Sequence, residues 1–169
     1  PCAVESKEQV LETISQARKH NVDFVRLSLW KPRTKPGFEG IGENGIELLV
    51  SAAKMGVNPA VEPIIPEHAE KAMDAVMRAT KGGKLLLWIG ARNQNHYIQR
   101  EIARLVARNP RVYLMVKNQI WHNEKHWEGI VEHVLSGGIN KANLLLCHRG
   151  FAPGIDNPNG YRNIPDFDM

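Results

Sequence analysis

Five short apolar runs, each separated from the next by a stretch of helical spacing, limit this chain to few folds. The runs are VDFVRLSL (22–29), VNPAVEP (57–63), KLLLWIGA (84–91), RVYLMVKN (111–118) and ANLLLCHRG (142–150). They are apolar at nearly every position rather than at alternate ones, the pattern of a strand buried on both faces. The intervening segments carry helix start and stop signals. In SKEQVLETISQARKHN, Ser6 and Gln9 form a capping box, Val10, Ile14 and Ala17 share one face, and Asn21 ends the helix. ENGIELLVSAAKMG (43–56) closes on Gly56, and PEHAEKAMDAVMRATKGG (66–83) opens on Pro66 and stops at Gly-Gly. NHYIQREIARLVARN (95–109) and EKHWEGIVEHVLSGG (124–138) complete the set. Strand and helix alternate in units of roughly 30 residues, which predicts an α/β architecture around a parallel sheet.

Two arrangements satisfy that alternation, an open doubly wound sheet and a barrel. No GxGxxG follows the first strand, so the dinucleotide-binding form of the open sheet has no support. The strand ends discriminate further. Arg26, Lys31, Arg92, Lys117 and Arg149 all fall at or just past the end of a strand. In a barrel those ends converge on one mouth, whereas an open sheet spreads them along an edge. The expected fold is therefore a (β/α)8 barrel of which this chain supplies five or six units, as a single domain over residues 1–169.

Composition closes off other classes. Hydrophobic residues make up 43% and charged residues 24%, ordinary for a globular protein. No apolar run approaches the roughly 18 residues of a membrane span. Cys2 and Cys147 have no staple-like spacing, which points to a reduced, cytoplasmic setting. The net charge of +4 and pI of about 9.2 suit an anionic partner. The positive charges are punctual rather than gathered in a basic face, which argues against nucleic acid.

Cations converging on one concavity suit a small ligand with several negative charges. Arginine forks onto phosphate or carboxylate, and lysine acts as a point charge. In WKPRTKPG (30–37), Pro32 and Pro36 stiffen a loop that also carries Lys31, Arg33, Thr34 and Lys35, so little entropy is lost when it grips. Other residues read more plainly. Cys147 is expected in the core, and Trp30, Trp88, Trp121 and Trp127 in packing. His68, His122, His126 and His133 are expected outside the barrel, without metal spacing. Glu62, at the end of the second strand run, is expected to pair with a cation. After Gly150 the chain reads as a long loop rich in Asn-Pro and Asn-Gly turns.

In order and spacing, PCAVES, FVRLSLWKPRTKPGFEG, WIGARNQN, VYLMVKN and CHRGF…YRNIPDF resemble the 3-deoxy-7-phosphoheptulonate synthases, in their short bacterial form often fused to a chorismate mutase. The resemblance implies condensation of phosphoenolpyruvate with erythrose 4-phosphate, the first step of the shikimate pathway. It implies that Arg26, Lys31, Arg92, Lys117 and Arg149 hold the phosphate and carboxylate of phosphoenolpyruvate, with Lys31 and Lys117 catalytic. Pro32, Arg33 and Thr34 would take the aldose phosphate. Cys2 would be one ligand of a divalent metal, with Mn, Fe, Co and Zn all suited to such a donor set. A sister family, the 3-deoxy-octulosonate 8-phosphate synthases, typically carries Asn-Arg-Thr in the loop, and Pro32 favours the heptulosonate branch.

The chain departs from that pattern at both ends. It opens at Pro1-Cys2, where the family has a preceding strand, and stops at Met169, before the segments that supply a His, a Glu and an Asp to the metal. Barrels of this type run to about 250 residues. The expectation is the central portion of a longer enzyme, the alternative being a phosphoenolpyruvate-binding fragment without turnover. Unpaired sheet edges would favour self-association into a homo-oligomer.

Overall fold

The computed structural model describes residues 3–32, 35–153 and 163–167. Strand and helix alternate as the apolar runs require: α1 (Lys7–Lys19), β1 (Phe24–Arg26), a 3-10 turn (Gly42–Gly45), α2 (Ile46–Lys54), β2 (Asn58–Val61), α3 (Pro66–Ala79), β3 (Leu85–Ile89), α4 (His96–Val106), β4 (Val112–Lys117), α5 (Glu124–Leu135) and β5 (Leu144–Cys147). The strands form one parallel sheet in the order β1-β2-β3-β4-β5. Each strand therefore lies beside its neighbour in sequence, with a helix as the crossover.

Local chemistry sets the element ends. The Ser6 hydroxyl accepts the Gln9 N–H at 3.1 Å, and the Gln9 carboxamide accepts the Glu5 N–H at 3.1 Å, a capping box shifted outward by one residue. Asn21 takes a positive φ of 51° and ends α1, a conformation that Asn tolerates better than most residues. The Arg111 guanidinium donates to the carbonyls of Thr80, Gly83 and Met77 at 2.7, 3.2 and 3.2 Å, closing the C-terminal end of α3. Asn58 pins the opposite ends of three strands, donating to the Asp23 carbonyl at 3.0 Å and accepting the Lys84 N–H at 2.9 Å.

The sheet has two apolar faces. Leu85, Leu87 and Ile89 of β3 pack with Ile102, Val106, Leu114 and Val116 into the main core beneath the helices. Leu86 and Trp88 join Ala60 on the other face, with Phe24, Tyr113 and Met115 against them. β3 is accordingly buried at all five positions. β5 differs from the expectation of full burial: Leu145 is 42% and Leu146 54% exposed, because β5 is the last strand of the ladder and pairs on one side only. For the same reason Cys147 is only half-buried, a correction to its expected place in the core. It is registered beside Lys117, at the strand ends.

Candidate active site

All five strands run in one direction, so their C-terminal ends share one edge of the sheet. Arg26 and Lys117 are the last residues of β1 and β4, Glu62 follows β2 by one residue, and Arg149 follows β5 by two. These side chains line one cavity of about 900 Å³ with Lys31, Pro32, Lys35, Phe38, Gly90, Arg92 and Ile120. The structure thus brings together six cations (Arg26, Lys31, Lys35, Arg92, Lys117 and Arg149) around one carboxylate, Glu62. Of the residues singled out from the sequence, Arg26, Lys31, Pro32, Arg92, Lys117 and Arg149 lie here, and Cys2, Arg33 and Thr34 lie outside the described residues.

The polar residues beside the cations build the scaffold. Asn118 is fully buried and ties the exits of β4 and β5 together. Its amide donates to the carbonyls of Gln119 and Gly150 at 3.0 and 3.2 Å, and its side-chain oxygen accepts the Arg149 N–H at 2.7 Å. Arg149 in turn donates to Asn163 Oδ1 at 2.7 Å. In the turn after β3, Asn93 donates to the Ile64 carbonyl at 3.1 Å, Gln94 to the Ala91 carbonyl at 2.8 Å, and Asn95 caps α4. Each amide satisfies a turn carbonyl or a helix end, which holds the segment bearing Arg92.

The 30–42 loop folds back on its own stem. The Lys31 N–H donates to the Glu39 carbonyl at 2.8 Å and the Gly42 N–H to the Leu29 carbonyl at 3.0 Å. Gly40, at φ +96°, lies directly on the Leu29 carbonyl, where any side chain would overlap it. Trp30 stacks on His68 with ring centroids 4.1 Å apart and planes 8° from parallel. Burial holds the His68 pKa below the usual 6.5, so the stack favours the neutral ring.

Glu62 lies against Gly90, and a Cβ there would strike its carboxylate. Burial raises its pKa above 4.5, and Lys117, the Trp88 indole, Arg26 and Lys31 oppose the shift without cancelling it. The Trp88 Nε1 nonetheless makes no full hydrogen bond. Glu62→Gln is therefore expected to melt higher than the parent at pH 7. The gain should vanish below pH 4.5, where the carboxyl is protonated in both folded and unfolded chains. Thermal melts across that range check it, and a gain independent of pH would contradict the assignment.

One grouping escaped the sequence reading. His122, Glu124 and Asp166 bring one ligand atom each within 4.8 Å of one another at the first turn of α5. His122 Nε2 meets Asp166 Oδ2 at 2.9 Å, and the Asp166 N–H donates to His148 Nε2 at 2.9 Å. The partners are 44 and 18 positions apart, a separation without sequence signal. A histidine with two carboxylates is a donor set suited to a divalent ion. The cavity itself offers a single donor, Glu62, among its described lining residues.

A parallel βα sheet whose C-terminal strand ends gather cations around a concave mouth has the layout of part of a (β/α)8 barrel, the class of fold in which that end carries the site. The chain is similar to the 3-deoxy-D-arabino-heptulosonate 7-phosphate (DAHP) synthases. It is 30% identical over 156 residues to the phospho-2-dehydro-3-deoxyheptonate aldolase of Thermotoga maritima, a match over 89% of this chain and 41% of that protein. The crystal structure of a Thermotoga maritima DAHP synthase superposes with a TM-score of 0.80 at 26% identity, covering 99% of this chain and 45% of that one. A truncated form of the Thermotoga maritima synthase superposes at 0.75 with 24% identity, over 99% and 55% of the two chains. The chain thus spans about half the length of the relatives it matches, and its five strands superpose on part of their barrel. No family model matches the chain. Among the described residues no helix is long and apolar enough to cross a membrane.

Proposed function

We propose that this chain carries the phosphoenolpyruvate site of a DAHP synthase, which joins phosphoenolpyruvate to erythrose 4-phosphate with release of phosphate. The observation that carries the reading is the convergence of Arg26, Lys31, Arg92, Lys117 and Arg149 on one cavity, in a chain similar to these synthases. Phosphoenolpyruvate presents a phosphate and a carboxylate. Arg26, Arg92 and Arg149 supply planar forks for them, and Lys31 and Lys117 add point charges.

Forming a carbon–carbon bond between two anionic substrates requires that their repulsion be neutralised and their reacting atoms aligned. Cations held at the ends of rigid strands do both before the substrates arrive. Lys31, on the folded-back loop, is assigned to phosphoenolpyruvate with the other four cations, and Pro32, Arg33 and Thr34, which follow it in sequence, to the phosphate end of the second substrate. Glu62 is the carboxylate lining the cavity and accepts the proton of the water that adds to C2 of phosphoenolpyruvate. Burial raises its pKa and so makes it a stronger base than an exposed glutamate. The resemblance also implies a divalent metal, which would supply Lewis-acid polarisation of the aldehyde of the second substrate. Among the described lining residues Glu62 is the single donor, which does not make a metal site.

Calorimetric titration with phosphoenolpyruvate, followed by assay of phosphate release, tests the reading. One-to-one binding much tighter than that of inorganic phosphate is expected, with phosphate released only when erythrose 4-phosphate is also present. Phosphoenolpyruvate binding no tighter than inorganic phosphate would reject it.

A further inference from the structure

We infer that Trp88 is a positioning residue for the cavity, whose indole ring holds two of its cations, Arg26 and Lys117. Trp88 is 2% exposed and sits in β3 on the face opposite the helices, packed on Ala60 and Leu86. The Arg26 guanidinium carbon lies 5.0 Å from its ring centroid and Lys117 Nζ 5.4 Å, both within the range of a cation–π contact.

The strand register explains how one ring reaches both. Lys117 is the last residue of β4, adjacent to β3, while Arg26 is two strands away on β1. The residue registered beside Arg26 on the intervening β2 is Ala60, and its small side chain lets Arg26 cross to the indole. A hydrogen bond from Arg26 Nε to the buried Ser28 hydroxyl at 3.0 Å fixes the direction of approach. The indole face carries negative charge density, so it offsets part of the repulsion between two like charges without adding a carboxylate that would repel an anionic ligand. Glu62, the carboxylate among the described lining residues, acts on the same cations, but any charge it neutralises is lost to an anionic ligand. An aromatic ring at this position holds both cations without neutralising their charge.

The inference rests on the anion-binding reading, and the experiment separates the two. The four tryptophans are replaced biosynthetically by mono-, di- and trifluorotryptophan, which drain charge from the ring face at nearly constant shape. The probes are inorganic phosphate and phosphoenolpyruvate, each titrated against the purified protein. Affinity for both is expected to fall stepwise along the fluorination series, by about tenfold overall. The slope should disappear in Trp88→Phe and persist in Trp127→Phe. A flat series, or a slope that survives Trp88→Phe, would overturn the role of Trp88. Failure of both anions to bind would overturn it too, since the cations would then not be presented to a ligand. If phosphate shows the slope but phosphoenolpyruvate binds no better than phosphate, the platform stands and the synthase reading falls.

Discussion

Replacing Lys117 with methionine is expected to weaken phosphoenolpyruvate binding by about a hundredfold, the loss of one or two charge-assisted hydrogen bonds in a partly desolvated site. Several features single this lysine out among the six cations. It ends a strand paired on both sides, registered beside Cys147 of β5 and one residue past the Ile89–Val116 pair with β3. It lies over the Trp88 ring, and its charge opposes the burial-driven rise in the Glu62 pKa more than that of any other cation. Methionine keeps most of the side-chain volume and removes only the charge, so the fold is expected to survive. The measurement is a calorimetric titration of variant and parent at one salt concentration, since screening weakens all such contacts together. A variant that binds within about threefold of the parent would show that Lys117 is not at the ligand.

Gly40→Ala is expected to cost roughly 3 kcal/mol and to weaken anion binding with it. Two penalties coincide. The backbone there adopts φ +96°, which an L side chain strongly disfavours, and the new methyl would meet the Leu29 carbonyl, which cannot yield as a flexible side chain would. That carbonyl also accepts the Gly42 N–H, so displacing it opens the stem of the loop that carries Lys31, Pro32 and Lys35. Chemical denaturation gives the stability change and titration with phosphoenolpyruvate the functional one. By contrast, Gly37→Ala meets nothing within 4 Å and has no positive φ, so it serves as the control in the same loop. Equal behaviour of the two variants would refute the account.

How far the molecule could be read without coordinates depends on the range of the interactions. Helix limits were legible because Ser6, Asn21, Gly56 and Pro66 act within a few residues of themselves. The direction of the sheet followed from strand and helix alternation, and that direction alone puts Arg26, Lys31, Arg92, Lys117 and Arg149 at one mouth. Contacts that depend on register were invisible. That Arg26 passes over Ala60 to Trp88, or that Glu62 needs a glycine at position 90, depends on which residues of neighbouring strands stand side by side. Trp88 was expected to pack, and it does, but its face also carries charge. The exposure of Leu145 and Leu146 was hidden for another reason: an apolar run announces that a strand can be covered, not what covers it.

The strand order β1-β2-β3-β4-β5 has a consequence for the way the chain is made. Within the described sheet, each of β2 to β5 finds a neighbour already synthesised, one crossover helix upstream. Loop-closure costs stay at the scale of a single βα unit, and the sheet can grow by accretion from its N-terminal end as translation proceeds. The growing edge at each stage is an unpaired parallel strand, the species most exposed to wrong partners, which makes the pace of the following helix and strand a determinant of yield.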